Sequence, residues 1–317
     1  MPDFGPGSFV LNLLAAGLAY GTPVLLAALG EVVCERGGVI NLGLEGLMLF
    51  GAMLAVLVGL ATGSALLGAL AATAGTALLS SLHALACVGL RADQIVSGLS
   101  LGFLGSGLAS ILGAPLVGAQ ASLPCVPTLS SSIPVLGPLL FSHNVMTYLA
   151  MVLVPAIWFA LHRTRPGLHL RAVGDNPAAA DSLGVPVAIY RSGAVMVGGA
   201  LAGLAGASLS LGRTPGYVDG MVSGAGWIAL GLTIFARWDP WRVIPGALLF
   251  GALRRLPLDV QGLGWPVLSS PSSGYFMNML PYLSVVAVLV WGARRHRGPG
   301  NGAPAALGRP FVRGEHR

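Results

Sequence analysis

The stretch Val39 to Phe50, VINLGLEGLMLF, sets two polar side chains, Asn41 and Glu45, in a run of apolar residues and glycine. A carboxylate at the centre of a membrane helix costs about 2.5–3.5 kcal/mol on insertion scales, so it asks for a partner or a role. Positions four apart share a helix face. A helix starting near Gly38 therefore predicts one stripe of Asn41, Glu45 and Met48. At about 1.5 Å per residue Glu45 then lies roughly 10 Å into that helix. In one reading Asn41 caps the helix and Glu45 favours its first turn. In the other the stripe faces an aqueous path or anchors a neighbouring helix. Asp93, Gln94 and Ser97 open a second polar group, with Gln94 and Ser97 on one face.

Gly98 to Gly102, GLSLG, fits the G-x-S-x-G nucleophile elbow and makes Ser100 a formal candidate for acyl chemistry. That elbow needs a strand–turn–helix setting. Here it falls inside a predicted membrane helix, and His83 lies on another span, so a Gly/Ser packing face is expected. His83 has the chemistry of a proton relay, but a satisfied core histidine is the plainer expectation. His162 and His169 flank a basic loop and read as solvated. Cys34, Cys87 and Cys125 show no metal-ligand or CxxC spacing and read as small apolar fillers, so neither metal nor cofactor is expected.

These residues must be positioned by membrane helices. The 317 residues are 55% hydrophobic and 9% charged, with a mean hydropathy of +0.80. Soluble domains carry about 25% charged residues. A chain so poor in charge is expected to be an all-α, polytopic membrane bundle, because lipid offers no partner to an unpaired backbone amide. All seventeen basic residues are arginine. Without lysine there is no P-loop and no Schiff-base chemistry. The arginines sit in short loops and the tail, not in an aromatic-interleaved stripe, so nucleic acid is not a predicted partner. The start, MPDFGPGSF, lacks the basic n-region of a cleavable signal peptide.

About nine spans are predicted, near 9–30, 38–60, 64–90, 93–113, 146–162, 191–212, 223–237, 241–256 and 275–292. With the C-terminus cytoplasmic, 14 of the 17 arginines fall on the inside. This places the N-terminus outside and makes 114–145 an external loop. Small residues recur four apart at Gly17/Gly21, Gly59/Gly63, Gly98/Gly102 and Gly199/Gly203, a spacing that lets helices approach closely, within the chain or against a second subunit.

The loop 163–190 carries a capped stub of helix. Asn176 suits the N-cap, Pro177 the first helical position and Gly184 the left-handed residue after the last turn. About two turns long, the stub is too short to stand alone. It is well placed to dock into a partner's groove, or it serves as an ordinary interfacial connector.

Four segments carry a resemblance: ALGEVVCERGGVINLGLEGLMLFGA (28–52), LRAVGDNPAAADSLGVPVAIYRSGAVMVGGALAGLAGA (170–207), GAGWIALGLTIFARWDPWRVIPGALLFGAL (224–253) and the tail APAALGRPFVRGEHR (303–317). Together the chain resembles the permease subunit of a bacterial ABC importer. The similarity is to the nucleoside and simple-sugar branch of the ribose and branched-chain amino acid permeases. It runs from about residue 25 to the end and is weakest at 114–145. It implies one permease domain over 1–317, with a cytoplasmic loop at 163–190 and a cytoplasmic tail at 293–317. It also implies a multi-pass place in the bacterial cytoplasmic membrane. The implied partners are an ABC ATPase subunit, a second homologous permease and an extracytoplasmic solute-binding lipoprotein. In the family the loop bears a coupling helix that seats in the ATPase, which makes Asp175, Asn176, Pro177, Asp181, Leu183 and Gly184 coupling candidates. Relatives often read Gly-Arg-Gly-Phe where this chain has Gly224-Ala225-Gly226-Trp227, and asparagine where it has Asp239.

The resemblance gives the polar stripes an implied use. Asn41, Glu45, Met48, Gln94, Ser97 and Trp227 become candidates for a path taken by a polyhydroxyl solute, most simply a nucleoside. Transport then needs no catalytic acid–base pair. The competing expectation is an ion-gradient-driven carrier of a similar solute, which would work without an ATPase.

Overall fold

Short polar side chains start several of the helices. Ser64 accepts the Leu67 amide (3.4 Å), Asp93 that of Val96 (2.9 Å), Asn144 that of Thr147 (3.0 Å) and Thr164 that of Gly167 (3.2 Å). Each satisfies one of the orphan donors of a first turn. The structure is a computed structural model that describes residues 6–119, 143–262 and 302–313, with 276–277, 279–284, 286–287 and 290. Up to Gly262 the helices are α1 (Pro6–Arg36), α2 (Leu44–Thr62), α3 (Ala65–Ala84), α4 (Gln94–Gly113), α5 (Val145–Arg163), α6 (Arg165–Asp175), α7 (Pro177–Ser182), α8 (Val187–Ala207), α9 (Ala225–Phe235) and α10 (Pro240–Gly262). Single π-helical turns, Leu85–Gly89 and Ser208–Arg213, extend α3 and α8. Among the described residues there is no β-strand, only an isolated bridge between Val117 and Tyr217.

Among the described residues six helices are long and apolar enough to cross a membrane: those containing Leu13–Arg36, Leu44–Thr62, Ala65–Gly89, Gln94–Leu116, Val145–Arg163 and Val187–Gly212. They form an inner and an outer set. The windows of α1, α2 and α8 are 67%, 61% and 78% buried, against 28%, 22% and 28% for α3, α4 and α5. The inner three make the core around Leu26, Leu29, Leu47, Met48, Met53 and Ala202.

Several predicted elements change. The first helix does not stop near residue 30 but runs to Arg36, so Glu31 and Glu35 lie inside it. The second starts at Leu44 rather than near Gly38. Residues 37–43 are a turn, because Gly38 takes a left-handed φ of 87° that ends helical progress. The loop 163–190 is mostly helix, with α6 placed ahead of the stub. The short span near 223–237 becomes α9, only 11 residues long. The span near 241–256 lies within α10, which contains Pro245 and Pro257. The predicted span at 275–292 is described only in part, and most of 114–145, with Cys125, lies outside the described residues.

Close glycine contacts set the helix spacing. A Cβ at Gly46 would collide with the carbonyl of Gly102, and one at Gly203 with Thr76 of α3 and the Ala72 carbonyl. The pattern Gly98/Gly102 therefore seats α4 on the start of α2, and Gly199/Gly203 seats α8 on α3. Gly63 is different: it takes φ 67° as the left-handed cap of α2, with open space around it. Overpacking a tight contact costs about 1–3 kcal/mol. Gly46→Ala is expected to lower the thermal midpoint of the detergent-solubilised protein by several degrees, whereas Gly107→Ala, where nothing lies within 4 Å, leaves it unchanged. Fluorescence-detected gel filtration after heating measures both.

Candidate functional site

Glu45 sits in the first turn of α2, and its carboxylate reaches across to another helix. Oε1 accepts the Gly224 amide at 2.7 Å and Oε2 the Gly226 amide at 2.8 Å. Gly224 is the N-cap of α9 and has no side chain to close that end, so the cap comes from 179 residues away. Ser223 and Gly224 are both left-handed, with φ of 49° and 77°, which turns the two amides toward one acceptor. The loop is fixed from two further sides. Arg254 of α10 donates to the Val222 carbonyl (3.4 Å), and the Tyr282 hydroxyl to the Ser223 carbonyl (2.6 Å). Gly226 is required by space, since a Cβ there would lie 2.7 Å from the Glu45 Cα. Ala225, where the family pattern often has arginine, is buried.

The Asn41–Glu45–Met48 stripe does not form. Asn41 precedes α2, where its Oδ1 accepts the Gly43 amide (2.9 Å) and its backbone N–H donates to Glu31 Oε1 (2.9 Å). It does not cap the helix, because Gly43 occupies the N-cap without a side-chain bond. Met48 is fully buried in the core. Gln94 and Ser97 do come together, but on the protein's own turn. Gln94 Oε1 accepts the Ile40 amide (2.9 Å), and the Ser97 hydroxyl lies 2.9 Å from His83 Nδ1. His83 Nε2 lies 3.0 Å from the Ile40 carbonyl. A carbonyl only accepts, so Nε2 carries the proton and Nδ1 accepts from Ser97. His83 is thus a satisfied core histidine. Ser100 faces outward and bonds the Val96 carbonyl of its own helix (2.8 Å), in a helix rather than an elbow. Trp227 is 47% exposed on α9.

Sequence reasoning missed the two carboxylates of α1. Glu31 is fully buried beneath the 37–43 turn, and Glu35 accepts the indole N–H of Trp238. Arg36 adds bonds to the Trp238 carbonyl (3.1 Å) and the Arg237 carbonyl (3.4 Å). Arg237 and Trp238 both hold positive φ, 55° and 56°, so the end of α1 supports a backbone that side chains disfavour. The spacing of Glu31 and Glu35, one turn apart beside an apolar run, was the available signal. Asp239 accepts the Trp241 amide (2.9 Å) at the start of α10, a task asparagine also performs.

The stub is built as its capping residues predict. Asn176 Oδ1 accepts the Ala179 amide (3.0 Å), and Gly184 is left-handed at φ 82°. Ala180 turns inward against Val173, Val187 and Phe311. Leu183 turns outward, 84% exposed, and Asp175 and Asn176 are exposed beside it. Pro177 sits at the first helical position. Asp181 pairs with Arg313 (2.9 Å). The tail braces this end: the Ala306 amide donates to the Gly174 carbonyl (2.9 Å), and Arg191 to the Arg309 carbonyl (2.8 Å). His169 is not simply solvated, because its Nδ1 lies 2.8 Å from the Tyr190 hydroxyl.

Residues 13–289 match the family described as the permease component of the branched-chain amino acid transport system. The chain belongs to this family. It is a membrane permease component rather than an enzyme. It is 38% identical to the putative glucose ABC transporter permease of Haloferax volcanii, over 95% of this chain and 97% of that one. It is 38% identical to the nucleoside ABC transporter permease of Lactococcus lactis, over 87% and 90% of the two chains. Against the guanosine ABC transporter permease of Bacillus subtilis the identity is 36%, over 96% and 97%. No solved structure matches the chain.

Removing the Glu45 carboxylate leaves two glycine amides without their acceptor. Hydrogen bonds to a charged group contribute about 1.5–3 kcal/mol each. Glu45→Ala is therefore expected to lose folded protein and uptake in parallel, with a fall in thermal midpoint. Glu45→Gln, with one acceptor oxygen, falls between. Membrane abundance and uptake measured on the same cells check this, and loss of uptake at full abundance would assign Glu45 to the path instead.

Proposed function

We propose that the chain is the transmembrane permease subunit of an ATP-driven ABC importer for a nucleoside, or for a simple sugar such as ribose. The observation that carries this reading is similarity to two nucleoside-type permeases over most of the chain. The glucose-named relative keeps sugar as the alternative solute. Both solutes are polyhydroxylated, and neither needs a catalytic group. In this reading the chain crosses the bacterial cytoplasmic membrane about nine times, with its N-terminus outside and its C-terminus inside. Counting of arginines supports that orientation.

ATP hydrolysis belongs to a partner ATPase subunit. A second homologous permease completes the path, and an extracytoplasmic lipoprotein delivers solute. The geometry of α7 supports a coupling role, since its inner side is anchored by Ala180 while Leu183 stands 84% exposed. Asn176, Pro177 and Gly184 set the shape of the stub, Asp181 ties it to the tail, and Asp175 and Leu183 offer contacts. ATP-driven movement of the partner would enter here and rock the helices about the path.

Of the path candidates, Trp227 offers the most open surface, beside the Glu45 clamp. Asn41, Gln94 and Ser97 act from behind, by shaping the turn before α2. Stacking of a base on an aromatic ring contributes about 1–3 kcal/mol.

Two outcomes test the reading. Trp227→Ala is expected to raise the KM for nucleoside uptake about tenfold at unchanged abundance, in line with 1.4 kcal/mol per factor of ten. Leu183→Glu is expected to cut uptake by at least tenfold while the purified complex still hydrolyses ATP. A tagged pull-down in mild detergent identifies the partners. Uptake by this chain alone, driven by an ion gradient and indifferent to ATP, would replace the importer with a secondary carrier.

A further inference from the structure

A cavity of about 280 Å³ opens behind the stub, between the π-helical turn after α3, the start of α8 and the tail. Arg91, Arg191 and Arg313 line it, with Asp181 as the carboxylate among its lining residues. Arg313 is paired to Asp181 at 2.9 Å but remains 82% exposed. Arg91 is exposed, is held at a left-handed φ of 59°, and makes no hydrogen bond or ion pair among the described residues.

Arg191 is the unusual member. It is 2% exposed, and of its five N–H donors only Nη1 has a partner, the Arg309 carbonyl at 2.8 Å. Nη2 lies against Gly38, and neither Nη2 nor Nε has a hydrogen-bond partner among the described residues. A buried guanidinium without a counter-charge is costly, and an anion beside it offsets that cost. Val187 and Ala188, the first two residues of α8, line the same cavity. Their helix is 21 residues long, follows Pro186 and has no side-chain cap, so its first amides and its dipole favour negative charge here.

We propose that this cavity is a binding site for a phosphate-bearing anion, held by Arg91, Arg191 and Arg313 at the N-terminus of α8. Three arginines lining one cavity beside a helix start suit a doubly charged phosphate, and the volume leaves room for a small group attached to it. The phosphate comes either from a soluble phosphate or phosphorylated metabolite, or from the headgroup of an anionic phospholipid. Its oxygens compete with Asp181 for Arg313. A bound anion thus ties the tail to the turn after α3 and loosens the tail's hold on the stub. This site is separate from Trp227 and from the exposed side of α7, and it does not depend on the solute.

The test uses the full chain purified in neutral detergent. Inorganic phosphate is titrated at constant ionic strength, with chloride as the control, while the thermal midpoint and bound radiolabelled phosphate are followed. In parallel the protein is placed in nanodiscs of phosphatidylcholine with or without phosphatidylglycerol, and tightly bound lipid is counted by native mass spectrometry. Saturable phosphate binding, weakened at least tenfold in the double variant Arg91→Gln/Arg313→Gln, supports the site with a soluble occupant. No response to phosphate, but phosphatidylglycerol retained by the parent and lost from the double variant, supports the site with a lipid occupant. Both substitutions are at exposed positions, so they decide the matter even if Arg191→Gln fails to fold. Parent and double variant behaving alike in both arms would overturn the proposal.

Discussion

Backbone that leaves a helix inside an apolar bundle must still find partners for its amides. Most features of this chain follow from how it does so. Where the chain breaks between α1 and α2, Glu31 accepts the amide of Asn41, Gln94 that of Ile40, and His83 donates to the Ile40 carbonyl. Where it breaks before α9, the Glu45 carboxylate accepts two amides at once. The polar side chains in the apolar runs are thus largely the hydrogen-bonding surroundings of two irregular segments. Water would do the same work at a soluble protein's surface, but it would not hold two helix ends in a fixed relation.

That relation ties the two ends together. The start of α2 and the start of α9 share Glu45, and the end of α1 grips the turn after α9 through Glu35 and Arg36. The short α9 is consequently held at both ends by helices of the core. A helix of 11 residues, below the length of a free-standing membrane span, keeps its position through these contacts. Trp227 on its surface moves only as they allow.

Much of this was legible in the residues. Long apolar runs marked the six candidate spans, and Asp93 and Asn176 marked helix starts, because capping is local and short-ranged. The stub was readable for the same reason: asparagine, proline and glycine at those offsets constrain the backbone directly. The end of α1 was not. Glu31 and Glu35 fall just beyond the predicted first span, 9–30, and the groups that justify them as interior residues, the Asn41 backbone amide and the Trp238 indole, are supplied by tertiary contact. The polar stripe failed for a related reason. Its periodicity assumed a helix from Gly38, and the left-handed φ there moves the start to Leu44. Gln94 and Ser97 share a face as their spacing indicates, but no spacing reveals that the face meets the protein's own turn. The departure at Asp239 is conservative in use, since the position acts as a helix cap.

The tail segment 302–313 lies against the Gly38 turn, α6 and α8, and it follows every helix described above in chain order. A ribosome makes it after all of them. The bundle can therefore insert and pack before the surface around the stub is complete, because Gly174, Gly38 and Arg191 wait for partners that are made after the helices. Synthesis order thereby becomes assembly order. The stub and its surroundings thus gain these contacts only after the helices described here have been made.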